Sequence, residues 1–180
     1  MPHNLSAHTA NIRLALPADA ENVRLLRLEA LAAHPAAFGA DLEQNQKQSV
    51  EDWAERIAAY QREETGLILV AEVGSQLVGM CGLARGNSPK TRHTSFIWGV
   101  FLQADWRGQK LIDQLIAGCL HWAGLHAITV VNLGVSVSNI PAIRAYLRFG
   151  FSVYGVEPMA LYVDGVYIDE LLMTKRVISS

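Results

Sequence analysis

Two cationic residues follow an apolar run near the middle of the chain. Residues 94–102 have strand character, and the segment after them contains Arg107, Gly108 and Lys110 before a helical pattern begins at Leu111. A turn that leads into a helix exposes backbone N–H groups at the positive end of the helix dipole. The segment therefore predicts a site for phosphate or pyrophosphate, although an ordinary solvent-exposed turn has the same composition.

A second group of residues opens the helix predicted over residues 139–149. Asn139 is a good N-cap residue, Pro141 falls in the first turn, where no N–H donor is needed, and Gly150 ends the helix. These roles are structural and alone explain the three residues. Tyr146, two turns into the helix, is placed to project its phenol into a cleft at the end of a strand.

The elements that must position these residues alternate between strand and helix patterns. The predicted order is a strand over 12–16, a helix from Pro17, a helix from Ser49 with a capping box to Asp52, a hairpin over 67–73 and 77–84, a strand over 94–102, a helix over 111–123, a buried central strand over 128–137, the helix over 139–149, and a final hairpin over 151–156 and 166–173 that turns at Asp164-Gly165. This order predicts an α/β fold with a mixed sheet. One parallel crossover is expected, through the helix over 111–123.

Chain length and the polar start bound the domain organisation. The chain has 180 residues, which suits one domain. Residues 1–10 are polar, lack periodicity and are predicted to form a flexible tail. Residues 11–177 are predicted to form the single folded domain, with no internal repeat and no linker.

Charge is scarce and unevenly placed. Charged residues make up 18% of the chain against 51% hydrophobic residues, and residues 114–143 contain no Asp, Glu, Lys or Arg. Glycines, histidines and Pro141 interrupt that stretch, so we expect a buried helix and strand and no membrane span. The 15 basic residues are outnumbered by 17 acidic ones and form no basic block, so no nucleic-acid partner is predicted.

The cysteines and the N-terminus point to a reducing compartment. Cys81 and Cys119 have neither zinc-site spacing nor a disulfide framework, and Cys119 falls on the apolar face of a predicted helix. No signal peptide is indicated, so a cytoplasmic location is expected. No set of His, Cys, Asp and Glu has metal-ligand spacing, and no metal is predicted.

Together these segments resemble the GNAT family, the acyl-CoA-dependent N-acyltransferases. The motifs that carry the resemblance are the strand ending Trp98-Gly99-Val100-Phe101-Leu102, the Arg107-Gly108 turn, and the run Asn139-x-x-Ala142-x-x-x-Tyr146-x-x-x-Gly150-Phe151. The order of elements also matches, and the C-terminal hairpin looks like that of bacterial small-molecule acetyltransferases. The resemblance implies a mixed, mostly antiparallel central sheet of about six to seven strands flanked by about four helices.

The resemblance also implies an activity. Acetyl-CoA would donate an acetyl group to a primary amine of a small molecule, or to a protein N-terminus, which attacks directly in a ternary complex. The cofactor-binding residues carried over from the family are Val100, Leu102, Arg107, Gly108, Gln109, Lys110, Leu111, Ile112 and Asn139. Tyr146 would be the general acid that protonates the CoA thiolate, since a phenol with a pKa near 10 can serve as a proton donor.

The acceptor side is less determined. In the family, the first helix lines the acceptor, so Glu29 is the candidate substrate-binding residue there. Glu29, Glu157 and Asp169 are each candidates for the general base, and each also fits an ordinary surface or capping carboxylate. His34 and His93 are equally ambiguous. The apolar final hairpin could pair edges between subunits, so a homodimer is possible.

The turn departs from the family pattern in two places. The family has small residues where this chain has Lys110 and Ile112, and a glycine there lets the backbone approach phosphate closely. These two residues favour an alternative function: a GNAT-fold CoA-binding or regulatory module with weak or lost catalysis.

Overall fold

The computed structural model describes residues 10–177. The predicted tail, residues 1–10, lies outside the described residues except for Ala10. The helices are α1 (Ala20–Ala33), α2 (Leu42–Gln46), α3 (Val50–Glu63), α4 (Leu111–Leu125) and α5 (Ile140–Arg148), and the strands are β1 (Asn11–Leu14), β2 (Gly66–Val73), β3 (Gln76–Arg85), β4 (Thr94–Leu102), β5 (Val130–Ser136), β6 (Ser152–Val163) and β7 (Val166–Arg176).

The seven strands form one mixed sheet in the order β1-β2-β3-β4-β5-β7-β6. Every neighbouring pair is antiparallel except β4 and β5, which are parallel and joined through α4. The α/β class, the mostly antiparallel sheet and the parallel crossover are therefore confirmed.

Local sequence rules account for most element ends. The Ser49 hydroxyl accepts from the Asp52 N–H at 3.1 Å while the Asp52 carboxylate accepts from the Ser49 N–H at 2.8 Å, which is the predicted capping box of α3. The Asn139 amide oxygen accepts from the Ala142 N–H at 3.3 Å and caps α5.

Four details of the element prediction are wrong. A single 3-10 turn spans Pro17–Asp19, so α1 begins only at Ala20, and β1 ends at Leu14. The short helix α2 was not predicted, because five residues give too little periodicity. The strand predicted over 151–156 is half of β6, which continues to Val163. β5 is fully buried on one face, at Val131, Leu133 and Val135; on the other face only Ser136 is buried, and the remaining residues are half-buried.

The sheet separates two apolar cores. On one face, α4 packs against β2, β3 and β4 through Leu111, Leu115, Ile116 and Cys119. On the other face, α1 and α3 cover the sheet, with Trp53 and Met80 fully buried between them. The uncharged stretch, residues 114–143, supplies α4 and β5 to the first core. No helix within residues 10–177 is long and apolar enough to cross a membrane.

The pairing of β4 with β5 is short, and this positions the site. The two strands are in register only from Thr94 with Val130 to Phe96 with Asn132. β5 pairs with β7 along its whole length, from Val130 to Ser136. After Phe96, β4 is paired only with β3, on its other side. Gly99, at φ +63°, lies at the irregularity in the β3–β4 register. Such a bulge bends the strand and increases its twist.

Lys110 precedes α4 in an unusual backbone conformation. Its φ of +59° is in the left-handed region, which costs a residue with a Cβ roughly 1–2 kcal/mol. Changing Lys110 to Gly should relieve this cost, less what glycine loses in chain entropy. We expect a net gain of about 1 kcal/mol, which raises Tm by roughly 2–4 °C in differential scanning calorimetry.

Gly108→Ala is the matched control for Lys110→Gly. Gly108 has φ +82°, and a methyl group on its Cα would have no other atom within 4 Å, so an alanine there strains the backbone without a clash. Its Tm should fall by a similar amount. A lower Tm for Lys110→Gly would show that the lysine side chain stabilises the turn by more than the strain costs.

Candidate active site

A cleft of about 880 Å³ occupies the gap between the separated strands β4 and β5. Residues 97–102 of β4 form one wall and Gly134 and Val135 of β5 the other. Residues 33–38, after α1, cover the cleft at one end, and the start of α4 lies at the other. The cleft therefore runs between the two faces of the sheet.

Most of the predicted site residues line this cleft. They are Val100, Leu102, Arg107, Gly108, Lys110, Leu111, Ile112, Asn139 and Tyr146. Gln109 is exposed in the same turn and is not part of the cleft wall. Glu29 lies elsewhere: its carboxylate accepts from Gln103 Nε2 at 2.8 Å in a small separate groove beside β3. The structure thus gathers the predicted donor-side residues and leaves Glu29 outside.

The backbone of β4 offers an open edge to the cleft. From Ile97 to Leu102 the strand has no β5 partner, so alternate N–H and C=O groups face the gap. Leu102 is paired on the other side with Gly79. An extended ligand could therefore add to β4 at Val100 and Leu102 as an extra strand would.

The start of α4 has the features of an anion site. Lys110 is its N-cap residue, and its side chain makes no capping hydrogen bond to the helix. The first-turn residues 111–113 line the cleft, and their N–H groups, which no N-cap side chain accepts from, lie at the positive end of a 15-residue helix. Arg107, Gly108 and Lys110 are exposed beside them.

Arg107 also connects the two ends of the cleft through hydrogen bonds. Its Nη2 donates to His34 Nε2 at 3.2 Å, and its Nε donates to the Leu102 carbonyl at 3.4 Å. Because arginine can only donate, His34 Nε2 is the acceptor and its proton is on Nδ1. His34, which the sequence left ambiguous, therefore connects the turn before α4 to the segment that covers the cleft.

Tyr146 lies deep in the cleft wall. Its ring is 6% exposed and packs edge-on against Phe151 at 5.8 Å between ring centroids. Burial, with smaller contributions from Cys81 and Cys119, raises the pKa of the phenol well above its ordinary value. The phenol is consequently protonated at every physiological pH.

The two cysteines lie in the core beneath this tyrosine. Their sulfurs are 3.3 Å apart, and both side chains are free and fully buried. Hydrogen bonding to Cys81, and then burial, raises the pKa of the Cys119 thiol. Cys119 is a core residue, as predicted.

A carboxylate that the sequence analysis did not single out lies against the cleft wall. Glu170 is half-buried on β7, and a methyl group at Gly134 would lie 2.8 Å from its Oε2. Glu157 is directly opposite on β6. Burial first, and the Glu157 charge second, raise the pKa of Glu170.

The sequence held no signal for Glu170. Its place is set by the register of β7 with β5 and β6, and the β6–β7 register shifts between Glu157 and Leu161. Asp169, the neighbouring candidate for the general base, has a structural contact instead: its carboxylate accepts a hydrogen bond from the Met159 N–H at 2.7 Å. Asp169 supports the β6–β7 hairpin.

Comparisons with known proteins agree with this geometry. The model of the acetyltransferase (GNAT) family matches residues 27–151. The L-amino acid N-acetyltransferase AaaT of Escherichia coli K12 is 27% identical over 128 residues, which cover 68% of this chain and 74% of that protein.

Solved structures share the fold at low identity. A GNAT-family acetyltransferase from Streptococcus pneumoniae matches with a TM-score of 0.85 at 20% identity, over 93% of this chain and 99% of that one. A phosphinothricin acetyltransferase from Sinorhizobium meliloti, solved in complex with acetyl-CoA, matches with a TM-score of 0.81 at 16% identity, over 94% of this chain and 89% of that one. The family model covers more than half of the chain, and on that ground the chain belongs to the acetyltransferase (GNAT) family, as an acetyl-CoA-dependent N-acetyltransferase.

Proposed function

We propose that the protein transfers the acetyl group of acetyl-CoA to a primary amine of a small molecule, by direct attack in a ternary complex. The observation that carries this proposal is the early end of β4–β5 pairing, at Phe96 and Asn132. It leaves a cleft between the two strands in the middle of the sheet, where donor and acceptor can meet. Orienting two reactants in this way removes much of the entropic barrier to a bimolecular step.

The donor side of the cleft suits a pantetheine arm and its pyrophosphate. The arm would pair with the backbone of Val100 and Leu102, and the amide NH2 of Asn139 is free to donate to it because the cap uses the amide oxygen. The pyrophosphate would lie at the first turn of α4, where residues 107–112 supply N–H groups and two positive side chains.

Lys110 is compatible with this site. Its backbone already has the left-handed conformation that a glycine would adopt there, so the turn keeps its shape. Its side chain adds a charge that can pair with phosphate. The alternative function is a CoA-binding module with weak or lost catalysis. It rests on Lys110 and Ile112, because these side chains make the cleft wall at the start of α4 bulkier than two small residues would.

Tyr146 is the proposed proton donor to the departing thiolate. Its phenol holds a proton throughout the physiological pH range, and it lies in the wall that the donor would face. Burial also raises the pKa of a thiolate held in the same cleft, which brings the two groups closer in proton affinity.

Glu170 is the proposed acceptor of the amine proton, directly or through water. A primary amine is largely protonated at neutral pH and cannot attack until it loses that proton. A carboxylate with a raised pKa is a better base than an ordinary one, and Glu170 is such a group beside the cleft.

Two classes of acceptor amine fit the proposed reaction: a small molecule and a protein N-terminus. The E. coli relative acts, by its name, on L-amino acids, which favours a small-molecule acceptor here. A protein N-terminus offers the same α-amine at the end of a longer chain. The cleft end covered by residues 33–38 is where the two would differ.

Replacing Tyr146 with Phe should lower kcat by about 100-fold while the KM for acetyl-CoA changes little. General acid catalysis contributes a factor of this order or more, and phenylalanine keeps the contact with Phe151. Turnover is measured from the free thiol of CoA. Full activity of the variant at every pH would show that Tyr146 is not the acid.

Thermal shift with acetyl-CoA is the control for this variant. Ligand at 100 times its Kd stabilises a protein by about 2.7 kcal/mol, which corresponds to roughly 5–10 °C at this chain length. Wild type and Tyr146→Phe should shift equally. Binding without turnover by the wild type would favour the alternative function, and no shift at millimolar acetyl-CoA would contradict both.

Glu170→Gln should lower kcat/KM and remove the acid limb of its pH profile. The limb reports the carboxylate, because activity rises with pH as Glu170 loses its proton. Glu157→Gln is the matched variant: it removes the neighbouring charge that raises the pKa of Glu170. The limb should then move to lower pH with the maximal rate kept. An unchanged profile in Glu170→Gln would assign the base elsewhere.

We also propose that the protein forms a homodimer through the outer edge of the sheet. β6 is the outermost strand of the sheet. Large apolar side chains, each 46–65% exposed, cover it and the start of β7, and we call them the β6 surface: Val153, Tyr154, Val156, Met159, Tyr162, Val166 and Tyr167. A long apolar edge strand of this kind is normally covered or blunted. A second copy can cover it symmetrically.

Val156→Lys should convert the dimer to a monomer in sedimentation velocity, because it places a charge in the β6 surface. Leu125→Lys is the control, since Leu125 is 69% exposed at the end of α4, away from β6. The control should sediment as the wild type does. A monomeric wild type at tens of micromolar would refute the dimer.

A further inference from the structure

Arg27 is a buried cation on the acceptor side of the cleft. It lies on α1 and is only 6% exposed. Its guanidinium carbon is 5.2 Å from the ring centre of Phe38 and 5.7 Å from that of Trp98. Both rings line the cleft, and the Trp98 ring lies directly on Gly82, where no side chain would fit. Aromatic rings thus hold the guanidinium in one place.

No carboxylate compensates this charge. Nη1 of Arg27 is buried and has no hydrogen-bond partner among residues 10–177. Burial, and then the nearby Arg56 charge, lower the pKa of Arg27 to about 10, so it is still cationic at neutral pH. A buried, unpaired charge is costly, and an unsatisfied donor adds to the cost. Such a group is expected where a ligand completes it.

Arg27 is not itself part of the cleft lining but lies immediately behind it, next to Gly99. A methyl group at Gly99 would lie 3.4 Å from its Nη1, and Gly99 is the cleft residue immediately before Val100. A ligand group bound by Arg27 would therefore lie next to the donor end of β4.

The opposite charge lies across the gap on the same face of the sheet. Phe96 pairs with Asn132, so Trp98 and Gly134, two residues further along each strand, share one face. Arg27 covers Trp98, and the Glu170 carboxylate lies against Gly134. An acceptor between them meets a cation on the β4 side and a carboxylate on the β5 side.

We infer that Arg27 binds the carboxylate of the acceptor, and that the acceptor is a free α-amino acid or another amine with a carboxylate beside it. This inference rests on the proposed function and narrows it. The guanidinium would pair with the carboxylate through two parallel N–H donors. The amine would then lie toward Glu170. A protein N-terminus is disfavoured, because it has an amide where a free amino acid has its carboxylate.

The test compares L-α-amino acids, each beside its own carboxamide, as acceptors for wild type, Arg27→Met and Arg56→Met. The wild type should prefer the amino acid by about 10- to 100-fold in kcat/KM, the range expected for hydrogen bonds between charged groups. Arg27→Met should lose this preference, so that its kcat/KM values for the two acceptors become equal. Arg56→Met is the control for loss of a nearby positive charge, because Arg56 stacks on Trp53 and acts on Arg27 only through its charge; this variant should keep the preference.

Stability separates this role from a structural one. Methionine fills similar space without a buried charge, so Arg27→Met should keep or raise the wild-type Tm. A lower Tm together with an unchanged preference would make Arg27 a structural residue and overturn the inference. Equal kcat/KM for amino acid and carboxamide in the wild type would also overturn it, while the proposed function would stand.

A product-binding experiment tests the inference even if no acceptor is acetylated. Calorimetry in the presence of CoA compares the Kd of N-acetyl-L-amino acids with the Kd of the corresponding carboxamides. Tighter binding of the acids by wild type but not by Arg27→Met supports the inference even though the proposed function fails. No difference in binding overturns the inference as well.

Discussion

The separation of β4 from β5 is the constraint on which the rest of this molecule depends. A sheet normally pairs every interior backbone group, since an unpaired buried N–H or C=O is costly. Here pairing ends at Phe96 and Asn132, and β5 continues with β7 as its partner. The residues of β4 beyond that point keep one unpaired edge. The cleft, the open backbone at Val100 and Leu102 and the exposed start of α4 all follow from that single divergence.

Because few residues near the cleft are charged, each charged group there has a strong electrostatic effect. The β5 wall of the cleft comes from residues 114–143, which carry no Asp, Glu, Lys or Arg. In such surroundings a charge is poorly screened, so a neighbour shifts its pKa and a ligand of opposite sign binds more strongly. Asp113 and Arg148 in the cleft wall pair with each other at 2.7 Å. Arg27, Glu170 and the Arg107–Lys110 turn lie beside the cleft as well, and in the proposed function they would give it a side for an anionic donor and a side for a zwitterionic acceptor.

Local rules in the sequence predicted the elements well where a residue acts on its own neighbours. The capping box at Ser49, the Asn139 cap and the Asp164-Gly165 turn depend on side chains within three residues of the groups they contact. The same rules failed for a helix too short to show periodicity and for a strand that continues past its alternating pattern. The five-residue α2 has less than two turns of periodicity, and β6 continues through a bulge at Met159, where φ is +52°.

The sequence by itself determined which residues are proposed for the donor side, because they belong to two continuous segments. Residues 98–112 and 139–151 each carry their strand end, turn or cap with them, so their spacing is visible in the chain. The acceptor side was decided by the tertiary structure alone. Arg27 lies behind the cleft wall because α1 packs over Trp98. Glu170 is paired with Ser136 by the β5–β7 register, which brings its carboxylate against Gly134, and Glu29 turns away to Gln103. Contacts between residues distant in the chain depend on strand register and helix packing, and a single sequence carries no local signal for either.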